Sequence, residues 1–106
     1  MSELDRTSLK QWAQEVRNRL REFETEEAKL AAQERMLLTK MGVLALIVKD
    51  NEGTPRQANL YHFANTDLES AKAELETVRT KMHKPNFEKE YLEYLYRTIN
   101  WKLSKQ

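Results

Sequence analysis

The chain contains no cysteine, which excludes a disulfide framework, a thiolate zinc site, an iron–sulfur cluster and a thiol nucleophile. Glycine and proline are almost as scarce, with Gly42, Gly53, Pro55 and Pro85 the only examples in 106 residues. So few turn formers exclude the many tight turns of a sandwich or barrel, and two isolated glycines cannot build a phosphate-cradling loop. Long hydrophobic runs are missing too. The longest, Val43 to Val48, falls far below the ~20 apolar residues of a membrane span. The opening stretch from Met1 to Arg6 is polar and mixed in charge, without the basic flank and apolar run of a secretory leader. These absences point to a cytoplasmic protein with no membrane association. An excess of charge of one sign is likewise lacking. The 18 basic and 17 acidic residues leave a formal net charge of +1, so no global field draws in nucleic acid, although a local patch still can.

What the chain has in plenty is helix formers. Ala, Glu, Lys, Leu and Arg make up about half of it, the composition of long helices or a coiled coil. Its length suits one small domain, residues 1–106. Leu9, Val16, Phe23, Leu30, Leu37 and Leu44 recur every seven residues, the period of one helical seam. The companion seam is thin, because Arg19, Glu26, Gln33 and Lys40 interrupt it. The segment from Asp50 to Gly53 reads as a turn, with Gly53 suited to the left-handed conformation that ends a helix. Thr54, Pro55 and Gln57 then supply an N-cap, a first-turn proline and a capping-box partner. Leu60, Ala64, Leu68, Ala71, Leu75, Val78 and Met82 follow at steps of three and four, which makes one stripe. A second capping box at Thr66–Glu69 competes with it, and the single helix is favoured. Proline at position 85 breaks the chain again. The spacing therefore predicts three helices, at 2–49, 55–83 and 86–104, in an all-α fold: a long N-terminal helix, an antiparallel return helix and a shorter C-terminal helix, forming a helical hairpin or three-helix bundle of coiled-coil character.

Lengths follow from the ~1.5 Å rise per residue: roughly 70 Å for the first helix and roughly 43 Å for the second. If the third helix reverses at Pro85, it runs beside the first from about Arg21 to Thr39. An uncovered amphipathic overhang then carries Leu4, Leu9, Trp12, Val16 and Leu20. Because tertiary packing supplies most helix stability in water, this overhang is expected to be buried against a second copy or another protein, with self-association through the N-terminal helix.

Catalytic constellations do not assemble on paper. His62 and His83 are the only histidines, and no Glu stands three residues before either, so zinc and di-iron signatures are missing. Serines and threonines lack a nucleophile elbow. The reading is of a protein that is not an enzyme and needs no cofactor or metal. Glu22, Glu24, Glu26 and Glu27 lie among Arg19, Arg21 and Lys29 and read as a solvated, ion-paired face. His83 reads as a dipole partner at a helix end and His62 as a partly buried side chain.

Two surfaces remain as candidates. Arg17 and Arg21, with Arg79, Lys81 and Lys84, are candidates for phosphate contact, and nucleic acid is the alternative partner class. Against that stands the ordinary helix-dipole pattern, acidic at the start and basic at the end. The last helix is the richer segment, holding Phe87, Tyr91, Tyr94, Tyr96 and Trp101, five of nine aromatics. On a wheel of ~100° per residue, Leu92, Leu95, Ile99 and Leu103 form an aliphatic arc, and Phe87, Tyr91, Tyr94 and Trp101 an adjoining aromatic one. The two arcs span more than half the circumference, more than a helix with two neighbours needs. Either these aromatics roof the alanine stretch of the first helix or they present a partner-binding surface, with Phe87 and Tyr91 leaning to the core and Tyr94 and Trp101 to an interface. The function expected is that of a small protein-binding module, an adaptor, assembly chaperone, complex subunit or inhibitor. It would act through Leu9, Trp12, Val16, Leu20, Tyr94 and Trp101 on a protein partner whose identity the sequence leaves open, as a homodimer or a heteromeric subunit.

Overall fold

A computed structural model describes residues 2–53 and 58–105. All of its regular elements are helices: α1 (Glu3–Asp50), α2 (Ala58–His83) and α3 (Phe87–Ser104). Each starts and stops for a local reason. Ser2 Oγ accepts the Asp5 N–H at 3.1 Å at the head of α1, and Glu3 and Asp5 place negative charge in its first turn. At its tail, buried Asn51 donates both its backbone N–H, at 3.2 Å, and its Nδ2–H, at 2.7 Å, to the Ile47 carbonyl. Gly53 follows at φ +70°, the conformation that a side chain resists. The cap and capping box expected at Thr54, Pro55 and Gln57 lie outside the described residues. Asn86 caps α3, its side chain accepting the Lys89 N–H at 3.0 Å.

Helix α2 runs unbroken. Thr66, the rival cap, turns its hydroxyl back onto the His62 carbonyl at 2.9 Å, so it satisfies itself within the helix and does not start a new one.

The residues gather into two compact units, one made of 1–27 with 85–106 and the other of 28–84. In the first, Ala13, Val16 and Leu20 of α1 meet Leu92 and Ile99 of α3, with Leu9, Phe23, Leu95, Tyr96 and Leu103 packed around them. The two segments are antiparallel, since Arg6 Nη1 donates to the Leu103 carbonyl at 3.5 Å while Arg19 pairs with Glu88 and Lys89 with Glu27. In the second unit, Leu37 of α1 packs on Ala71, Leu75 and Val78 of α2, flanked by Leu30 and Met41, and Arg79 reaches Glu34 at 3.0 Å. The sevenfold seam is thus used twice, Leu9, Val16 and Phe23 facing α3 and Leu30 and Leu37 facing α2.

Two expectations are corrected here. Each core is built from two helices, and α3 lies beside residues 6–27 of α1 and not beside Arg21 to Thr39. The overhang is therefore covered in part by its own chain: Val16 and Leu20 are buried and Leu9 is half-buried, while Leu4 and Trp12 stay exposed. The physical reason is the aliphatic arc of α3. Leu92, Leu95, Ile99 and Leu103 find the richest apolar strip of α1 available, whereas the stretch around Ala28, Ala31 and Ala32 offers little to bury.

Candidate interaction surface

Two-helix cores are thin. Among the described residues no large side chain falls below 2% exposure, and each unit leaves apolar groups uncovered. The second unit exposes Met36, Val43, Leu60 and Phe63, with the His62 and Phe63 rings edge to face at 5.8 Å. His62 is itself exposed, not partly buried.

In the first unit the uncovered groups are ordered. Phe87, Tyr91, Tyr94 and Trp101 are 74%, 60%, 65% and 62% exposed, so Phe87 and Tyr91 belong to the surface and not to the core. They form one stripe, about 130° round α3 from its buried aliphatic arc at ~100° per residue. The ammonium of Lys105 sits 5.4 Å over the Trp101 ring, an exposed cation–π contact. Tyr96, outside both arcs in the sequence reading, is half-buried against the core.

Ion pairs mark the two sides of this helix pair. Arg19 bonds Glu88. Trp12, 45% exposed, lies one heptad before Arg19 and so on the same flank of α1. The opposite side is charged. Lys89 Nζ contacts Glu27 at 2.5 Å and Glu93 at 3.8 Å, and Arg17 lies 3.8 Å from Glu24. The hydrogen bond to Glu27 and the neighbouring carboxylates hold the Lys89 ammonium above the usual lysine range, against a smaller opposing effect of burial.

Of the expected phosphate-contacting residues, Arg17 and Arg21 belong to the first unit, and Arg79, Lys81 and Lys84 to the second. Arg17 and Arg79 are engaged by Glu24 and Glu34, while Arg21, Lys81 and Lys84 are exposed. An open groove along α2 is lined by Lys72, Arg79, His83 and Lys84 together with Glu76, and Lys72 pairs with Glu69 at 3.3 Å. No helix of the described residues is long and apolar enough to cross a membrane, and no group of three or more His, Asp or Glu gathers among them as a metal site.

The aromatic arc was visible in the sequence, but its depth was not. Spacing at 87, 91, 94 and 101 gives a stripe, and only the choice of neighbour for α3 decides whether that stripe is covered. Compared with protein-family models, with curated proteins and with solved structures, the chain matches none.

Proposed function

We propose that this chain is a small protein-binding module without catalytic activity of its own, acting in the cytoplasm by occupying a surface, as a homodimer or as a subunit of a larger complex. Adaptor, assembly chaperone and inhibitor are the roles that suit such a module. One observation carries the reading: Tyr94 and Trp101 are exposed along one stripe of α3, with Trp12 exposed on α1 of the same unit, and Trp and Tyr dominate binding energy in protein interfaces. Leu9, Val16 and Leu20 serve this surface from beneath, by holding α3 in place. The test is a comparison of wild type with Trp12→Ala and Trp101→Ala. Both variants are expected to keep helical circular dichroism and lose association with the protein that the wild type captures from its host. A Trp101→Ala chain that unfolds while association persists refutes the assignment.

The α2 groove favours a second reading, a nucleic-acid contact through Arg79 and Lys84 with Lys81 as a further phosphate ligand. Binding to a duplex would then weaken steeply with added salt, and the lack of any gel shift at low ionic strength removes it. The carboxylates of Glu34 and Glu69 already engaging this groove's cations make it the weaker of the two.

A further inference from the structure

The aromatic stripe of α3 has more order than a general sticky patch needs. Phe87, Tyr94 and Trp101 stand seven residues apart, and Tyr91, Thr98 and Lys105 form a second sevenfold column four residues on. Two interleaved columns of that kind are the seam of a coiled coil. Since Leu92 and Ile99 already face α1, α3 carries two seams, and the second has no occupant within the chain.

The charges beside the second seam say what fits it. Glu88 and Glu90 stand in the first turn of α3 and Lys102 in the last, with Arg97 between them and all four exposed. A second α3 laid parallel would set acidic turn beside acidic turn and basic beside basic. Laid antiparallel, with a twofold axis at Tyr94, it brings Phe87 level with Trp101 of the second copy and Tyr91 within one residue of Thr98. The same register sets Glu90 within one residue of Arg97, ~1.5 Å along the axis, a pair that occurs twice by symmetry. The aromatic columns and the Glu90–Arg97 pair thus agree to within one residue of register.

We propose that the stripe of α3 is a homodimer seam, paired antiparallel with the same stripe of a second copy about a twofold axis at Tyr94. This rests on the interaction reading above and names the partner. The self-association expected of the N-terminal helix moves to α3. The area is compatible with a reversible dimer. Aromatic side chains of ~150–250 Å² at the exposures given present about 400–650 Å² per copy. The resulting ~800–1,300 Å² for a pair straddles the ~1,000 Å² that a specific interface needs.

The lack of any native cysteine makes the test direct. On the full chain, sedimentation equilibrium should show the average mass climbing towards that of a dimer between about 10 µM and about 1 mM. Tyr94→Cys should oxidise to a covalent dimer. Phe87→Cys alone and Trp101→Cys alone should not, because each lies ~21 Å from its own symmetry mate whereas a disulfide needs Cα atoms ~6 Å apart. A mixture of those two variants should cross-link. Glu90→Arg and Arg97→Glu should each weaken pairing about tenfold, and the double exchange should restore it. All of these positions are exposed, so circular dichroism should be unchanged. A chain monomeric throughout the range, self-linking of Phe87→Cys as fast as that of Tyr94→Cys, or a double exchange that fails to rescue each overturns the proposal. A monomer whose capture of another protein is still lost in Trp101→Ala overturns the homodimer seam alone. If neither self-pairing nor capture is seen, the interaction reading falls with it.

Discussion

Two thin cores in one chain make a sharp expectation about where a core substitution is felt. Leu92 is 3% exposed in the first cluster, with Ala13, Val16, Leu20 and Ile99, and truncating it to Ala removes apolar contact from that cluster. Leucine-to-alanine changes in protein cores cost ~2–5 kcal/mol, less where the surroundings can close over the cavity. A two-helix core has solvent near every wall, so the lower half applies, about 2–3 kcal/mol. Alanine is at least as good a helix former as leucine, so the loss is one of packing. At ~1.4 kcal/mol per factor of ten, the opening constant of the first unit rises about 30- to 150-fold. Native-state hydrogen exchange reads this directly. Amides of residues 9–23 and 87–104 should exchange faster by that factor, while those of 58–83 stay within about threefold. Leu75→Ala, in the second cluster, should give the mirror image. Equal acceleration in both units by either variant refutes the reasoning that each core is held by its own residues.

Other expectations are local. Gly53→Ala meets no atom within 4 Å but must hold φ +70°, so it should destabilise by about 1–2 kcal/mol through backbone strain alone; a neutral result in a denaturant melt means that the turn relaxes. Asn86→Ala removes the acceptor of the Lys89 N–H and should cost about 1 kcal/mol, with Asn86→Ser near wild type; equal losses for both would show that the cap is not the cause. Lys89 has its pKa raised in the folded state by the hydrogen bond to Glu27 and the nearby carboxylates. Its contribution is therefore complete below the ordinary lysine value of ~10.4 and disappears as pH rises through the folded value. Lys89→Met should flatten the alkaline limb of the stability curve, and an unchanged limb contradicts the pairing. Tyr94→Ala, at a mostly exposed position, should cost under about 1 kcal/mol of folding stability.

Helix positions were legible in the sequence because the chain's few breakers mark them. Asn51 and Gly53 end α1, Pro85 and Asn86 introduce α3, and the steps of three and four between them leave no other regular structure available. The sevenfold run from Leu9 to Leu37 did identify the core-facing seam. The seam's partner was not legible, because heptad spacing fixes which face is buried and is silent on which helix buries it. Treating Pro85 as a reversal put α3 beside the alanine-poor-packing stretch at 28–32, when the aliphatic arc from Leu92 to Leu103 had a better complement in Ala13, Val16 and Leu20. Phe87 and Tyr91 were misplaced by the same step, since an arc between two expected neighbours looks like core. Long-range pairs such as Arg19 with Glu88 and Lys89 with Glu27 follow from the docking and were beyond any local pattern.

A protein in which every large side chain among the described residues keeps some view of water has a thermal signature. Little deeply sequestered apolar area means a heat-capacity increment on melting below the usual ~12–15 cal/mol/K per residue, and hence a shallow, broad transition. Such a molecule also gains unusually much when something is laid over it, since ligation of the native form alone raises the melting point by mass action. Diluting the sample should lower the melting temperature, and crowding it with its own kind should raise it.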